Sequence, residues 1–194
     1  MREFLRQTGT VIGIVTMMAV AATLEAESLG APLPFSADWG YYENGEIMEG
    51  GIYRAGAEAL RLDWDHGPNW VSEIHRFDEM IVYVLEHADR TYFASRFQGP
   101  EFCQNSDIRR FGSPCVADAE ARRIGSELIE GRETEVWVCD IPGRFALTVW
   151  YCPRLQTPVR SIAEGYDDVF ALTNIREEPP ADEAFAVPPD YRRQ

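Results

Sequence analysis

Apolar and polar residues alternate along most of this chain, and the alternation is sharpest between Glu133 and Arg160. Two period-2 runs, Glu133–Asp140 and Arg144–Tyr151, are joined by Ile141-Pro142-Gly143-Arg144. Alternation of this kind marks strands and Pro-Gly marks a turn, so the stretch predicts a β-hairpin. With Pro142 and Gly143 at its tip, Val138 faces Leu147 and Val136 faces Val149. Trp137 and Cys139 then share the other face with Ala146, Thr148 and Trp150. Both faces are apolar, so one can lie on a core while the other lines a second buried surface or a cavity.

The same rhythm recurs upstream. Ser36–Tyr42 reads as a strand ended by the tight-turn sequence Glu43-Asn44-Gly45, and Gly50–Ala55 as the next. Ala59–Asp65 is a clean third, with Leu60, Leu62 and Trp64 on one side and Arg61, Asp63 and Asp65 on the other. Trp70–Phe77, Met80–Glu86 and Thr91–Phe97 continue the series. After a Gly- and Pro-containing loop, Cys115–Arg123 is the best helix candidate, with Ser113-Pro114 at its start. Ile124–Ile129, Thr157–Ala163 and Asp168–Arg176 complete a set of about eleven strands at meander spacing. The tail from Glu177 is acidic and Pro-rich. There is no strand-helix rhythm of a parallel sheet, no internal repeat and no second-domain boundary. The pattern predicts a mainly β (α+β) fold built on a large curved antiparallel sheet, and a sheet of that size generally curls, closes or gains a covering layer.

The 194 residues suit one domain. Their formal charge of −14 opposes a nucleic-acid partner, whose phosphates would be repelled. All 18 basic residues are arginine, which removes a Lys Schiff base, a Walker-type lysine and a Ser-Lys dyad. At the N-terminus, Arg2 and Arg6 precede the apolar run Val11–Ala22, too short to span a bilayer comfortably, and small residues follow. That is the layout of an export signal over residues 1–26, with cleavage after Ala22 or Ala26, leaving one domain over 27–194. The processed chain is then expected to be soluble, periplasmic and not an integral membrane protein.

Four cysteines in an exported chain suggest two disulfides. Cys103 and Cys115 flank a polar loop and form the favoured pair, contributing about 3 kcal/mol. That leaves Cys139 and Cys152. The hairpin register sets these two roughly 20 Å apart along the strands, whereas a disulfide needs Cα atoms within about 7 Å. Either the hairpin loop is longer than it reads, or the connectivity crosses between loop and hairpin.

Chemistry-bearing motifs are few. Asp63-Trp64-Asp65-His66 has metal-ligand residue types, but it reads as a solvated strand edge and turn, and His75 and His87 as ordinary surface or core histidines. No G-x-S-x-G, H-E-x-x-H or phosphate-binding glycine loop occurs. No catalytic residue, metal ligand or cofactor is therefore assigned. The strand aromatics say more. An apolar cavity is the usual form of a small-molecule site, and Leu60, Leu62, Trp64, Trp137 and Trp150 are its candidate lining.

Five stretches in order carry a likeness to a known group: Ile52–Trp64, Ile74–Phe93, Ile124–Val138, Val149–Ser161 and Asn174–Tyr191. The most specific parts are Gly125-x-Glu127-x-x-x-Gly131-Arg132-x-x-x-x-Trp137 and the ending Phe185-x-x-Pro188-x-x-Tyr191. In these the chain resembles the periplasmic lipoprotein-carrier superfamily (LolA/LolB-like), as an outlying member. The resemblance implies an unclosed β-barrel with helices over its concave face. It also implies a non-enzymatic role in outer-membrane lipoprotein sorting, with a lipid or lipoprotein acyl chain held in the cavity. Arg54 and Arg61 are the two positions for the carriers' functional arginine. The alternative is an envelope protein-interaction or sensory module with no ligand cavity.

Overall fold

The computed structural model describes residues 33–64, 70–96, 113–115, 119–143, 145–165 and 169–194. The first half of the chain supplies β1 (Phe35–Glu43), β2 (Glu46–Ala55), β3 (Ala59–Trp64), β4 (Val71–Arg76), β5 (Ile81–Glu86) and β6 (Thr91–Arg96). The second supplies β7 (Glu120–Ile129), β8 (Arg132–Asp140), β9 (Ala146–Cys152), β10 (Thr157–Ala163), β11 (Val169–Arg176) and the two-residue β12 (Arg192–Arg193). All twelve belong to one sheet in the order β12-β6-β5-β4-β3-β2-β1-β11-β10-β9-β8-β7. Every pair is antiparallel except β12 with β6. The sheet is unclosed, so the mainly β antiparallel sheet expected from the alternation and the open barrel implied by the resemblance are both observed.

Paired residues share a face of a sheet, and the pairings carry one face across the molecule. Phe35, Tyr53, Leu60, Leu62, Phe170 and Leu172 lie on this inner face, each at most 1% exposed, and form the main core with Leu155 and Val159. At its centre Trp39 and Trp64 flank Gly51, their rings edge-on with centroids 5.8 Å apart. The Trp39 indole N–H donates to the Asp63 carbonyl at 3.1 Å across that glycine. A Cβ at Gly51 would lie 1.7 Å from the same oxygen, so only glycine lets the strands meet there. The hairpins are set by residues that take positive φ: Asn44-Gly45 between β1 and β2, and Glu130-Gly131 between β7 and β8.

Four expectations are corrected. The helix expected over Cys115–Arg123 is strand from Glu120: β7 extends the expected strand Ile124–Ile129 by four residues, whose alternation is masked because both faces are exposed. The β8–β9 hairpin is slipped by one residue: Cys139, not Val138, faces Leu147, and Val136 faces Trp150. Its loop has five residues centred on Gly143 (φ 74°) instead of two at the tip. A one-residue slip moves the whole partner set to the other face, so Trp137 and Cys139 lie with Leu147 and Val149. Third, Cys115 is joined to Cys139, Cα atoms 5.5 Å apart, so it is not paired with Cys103, which lies outside the described residues. The register explains this: Cys139 is on the inner face, where the segment entering β7 crosses it. Cys152 is a buried free thiol. Fourth, among the described residues the helical content is one 3-10 turn, Asp182–Phe185, and it lies on the outer face.

That turn belongs to a tail expected to be merely acidic and Pro-rich. Instead Phe185 packs with Ala59, Ile74 and Leu85 on the outer side of β3–β5, flanked by Val187 and Tyr191. The chain then ends as β12 beside β6.

Candidate functional site

Under that tail lies a polar chain. Arg54 and Arg61 stand directly opposite each other on β2 and β3, an unfavourable like-charge pair. Asp63, 1% exposed, sits between them, pairing with Arg54 and taking Arg61 Nε at 2.6 Å. The Ser72 hydroxyl donates to Asp63 Oδ1 at 2.5 Å and accepts from Arg61 at 2.9 Å. Ser72 has one proton and spends it on Asp63, so His87 Nε2–H must donate to Ser72 at 2.6 Å. His87 Nδ1 then accepts from the Tyr191 hydroxyl at 2.5 Å. Arg61 also donates to the carbonyl of Ala184 at 3.0 Å. Burial raises the Asp63 pKa, but the Ser72 hydrogen bond and the two guanidiniums outweigh it and hold the carboxyl below its usual range. Burial and Arg61 lower His87 below its ordinary value, against the opposing pull of Asp63.

Asp63 is thus not part of a solvated edge, and Arg54 and Arg61 are not plain surface arginines. The alternation placed Asp63 on the outer side correctly; the tail that covers it gave no sign. Asp65 and His66 lie outside the described residues. His75 is buried on the inner face and bonds Glu73 at 2.8 Å. Ser72, fully buried and saturated with partners, is a structural hydroxyl. Among the described residues no group of three metal-ligating side chains converges.

Of the five candidate lining residues, Leu60 and Leu62 are fully buried in the main core, with Trp64 and Trp150 packed against it. Trp137 belongs to a second cluster with Cys115, Cys139, Leu147 and Val149. The Trp150 indole donates to Glu127 at 2.6 Å, and Arg160 lies 5.0 Å over its ring. None of the five lines any of three hollows found among the described residues.

Two of those hollows are neighbours, sharing Glu133 and Pro153 in their walls. They measure about 440 and 560 Å³ and run along the β7–β8 hairpin to the β9–β10 turn and Glu177. Their walls carry five carboxylates (Glu127, Glu130, Glu133, Glu135, Glu177) against three arginines. All three arginines are engaged: Arg123 with Glu135 at 3.3 Å, and Arg132 and Arg154 with Glu177 at 3.3 and 2.6 Å. Glu130 and Glu133 have no cation partner among the described residues, so the groove is net negative. Tyr151, opposite Glu135 on β9, is buried with its hydroxyl unpaired among the described residues. Burial, with Glu135 and Cys152 beside it, pushes its pKa up to about 12, so it stays a hydrogen-bond donor. The third hollow, about 250 Å³, lies between Ile129, Val159, Val169 and Leu172.

No family model matches the chain, and no curated protein matches it in sequence. Among solved structures, an uncharacterised conserved protein from Thermus thermophilus matches at TM-score 0.57 and 11% identity, over 87% of this chain and 93% of that one. A LolA superfamily protein from Nitrosomonas europaea matches at TM-score 0.37 and 10% identity, over 81% of this chain and 91% of that one. MucB matches at TM-score 0.45 and 12% identity, over 82% of this chain and 59% of MucB. At these identities a likeness concerns fold alone, and the two scores under 0.5 carry no weight of their own. The unclosed twelve-stranded antiparallel sheet is the deciding feature. In fold, the chain is similar to the Thermus thermophilus protein.

The residues that carry that LolA/LolB-like resemblance in sequence now have places. Gly125, Glu127, Gly131, Arg132 and Trp137 build the β7–β8 hairpin that walls the groove. Phe185 and Tyr191 anchor the tail. The groove itself was missed because its acids are split among two strands, the turn between them and the start of the tail.

Proposed function

We propose that this protein is an exported, periplasmic, non-enzymatic binding protein that holds an extended basic segment of an envelope protein in the groove beside β7 and β8. Residues 1–26 are its export signal and 27–194 its single domain. The observation behind the choice is the groove's surplus of carboxylates: Glu130 and Glu133 have no cation partner among the described residues, while every arginine in the wall is paired. Such a surface favours guanidinium and ammonium groups and costs an acyl chain its hydrophobic gain. The Cys115–Cys139 disulfide fits an oxidising compartment.

Capture of a lipid or lipoprotein acyl chain is the second reading, and the apolar hollow between Ile129, Val159, Val169 and Leu172 favours it. In its original form, with Leu60, Leu62, Trp64, Trp137 and Trp150 as lining, the core would have to open, since Leu60 and Leu62 have no exposed surface. A titration separates the two. A fluorescent arginine-rich peptide should bind, with affinity falling about tenfold on replacing Glu130 and Glu133 by Arg. A fluorescent fatty-acid probe should not. Uptake of the acyl probe without peptide binding reverses the choice, and binding of neither removes both.

A further inference from the structure

The β7 strand is long and bare. All nine residues from Glu120 to Leu128 are exposed, including Ile124 at 50% and Leu128 at 65%. One edge pairs with β8, and among the described residues nothing pairs with the other. The opposite end of the sheet is treated differently: β6 is covered by β12. A row of open N–H and C=O groups is a template for another strand.

We infer that β7 pairs antiparallel with β7 of a second copy, about a two-fold axis between Ile124 and Gly125, continuing the sheet across a dimer. The strand reads Glu-Ala-Arg-Arg-Ile-Gly-Ser-Glu-Leu-Ile from Glu120 to Ile129. Laid against its own reverse in this register, Arg122 meets Glu127 twice and Ala121 meets Leu128 twice. The faces agree as well. Arg122 and Glu127 oppose Val138 and Thr134 on β8, both on the outer face, while Ala121 and Leu128 oppose Cys139 and Glu133 on the inner face. In a regular strand, residues five apart point to opposite sides, so this match would fail. The bulge between Arg123 and Gly125 supplies the extra residue that brings the two halves into phase, and it falls on the axis.

Neighbouring registers do not work. A slip of one residue opposes inner to outer side chains; a slip of two sets Glu120 against Glu127 in one direction, and in the other leaves Arg122 opposite Ile129 and Glu127 opposite Ile124, with no ion pair. Arg122 has no ion-pair partner among the described residues. Glu127 gives Oε2 to the Trp150 indole, which leaves its other oxygen for an arginine. The two acids and two arginines of β7 cancel, making a neutral strip on a chain of charge −14. The pairing is backbone-driven and does not depend on what the groove holds.

Sedimentation velocity on the full protein, over a dilution series, tests this. A concentration-dependent dimer is expected. Arg122→Glu and Glu127→Arg should each weaken it tenfold or more, because each sets two like charges face to face. An equimolar mixture of the two variants should form a mixed dimer, and the double exchange should recover self-association. Rescue by mixing cannot come from a variant that has failed to fold, and circular dichroism checks the fold directly. A protein that stays monomeric throughout the series overturns the inference. So does a dimer indifferent to both reversals, or a monomer whose β7 edge is protected only by a foreign peptide.

Discussion

At the scale of single residues, the buried charge of Asp63 is the feature on which most depends. It bridges two arginines that the β2–β3 register forces together, and it orders Ser72 and through it His87. Replacing Asp63 by Ala leaves both guanidiniums partly buried and unpaired, so urea unfolding should show a loss of about 3 kcal/mol or more. The pH dependence has a definite sign. Asp63 has a folded pKa below the ordinary carboxyl value of 3.8, so its contribution is full above that value and fades as pH falls through the lower, folded one. Wild-type stability should therefore drop steeply below about pH 4, and the Asp63→Ala variant should lose that part of the slope. Alternation alone put Asp63 and Arg61 on one side of a strand. That the side is dry followed from residues more than a hundred positions away.

Among the elements, the C-terminal tail and the hairpin loop are the ones tied down by chemistry. The tail is fastened by Phe185 in its apolar seat and by Tyr191 on His87. Neutral His87 accepts the Tyr191 proton, while protonated His87 cannot. Its folded pKa lies below 6.5, so the neutral form's stabilisation is complete above that pH and is lost as pH falls through the lowered value. Hydrogen exchange should therefore show the tail amides losing protection as pH falls below about 6.5, after correction for the intrinsic exchange rate. Tyr191→Phe should reproduce a loss of about 1 kcal/mol at neutral pH. The Cys115–Cys139 bond closes a 24-residue separation between the segment entering β7 and β8. Its reduction should cost about 3.5 kcal/mol of stability from loop entropy. Cys152→Ser should leave that loss unchanged, because Cys152 is outside the bond.

For the whole molecule, charge is the dominant variable. A chain at −14 repels itself when compact, and screening relaxes that repulsion. Raising salt from about 10 mM to about 150 mM should raise the thermal midpoint by a few degrees, although it weakens individual surface pairs. Basic-peptide binding should move the opposite way, weakening over the same salt range. A protein whose stability falls with salt would place the net effect in its local ion pairs instead of its total charge.

What the chain by itself determined is most of the strands and their succession along the sequence. Alternation, Asn-Gly and Glu-Gly turns and Pro-Gly are local, and each is set by a few neighbouring residues. The boundaries of β3 to β6 and β10 could be read within a residue or two, and the mainly β, antiparallel architecture with them. Tertiary structure decided whatever depends on parity or on distant partners. One extra loop residue at Gly143 exchanged the faces of β8 and β9, so Cys139 met Cys115. Exposure on both faces hid the first four residues of β7, Glu120 to Arg123, behind a helix-like composition. The acidic groove and the cover over Asp63 each join segments far apart in the chain, and local alternation carries no information about which distant segment will arrive. Burial does, and burial is a property of the folded sheet alone.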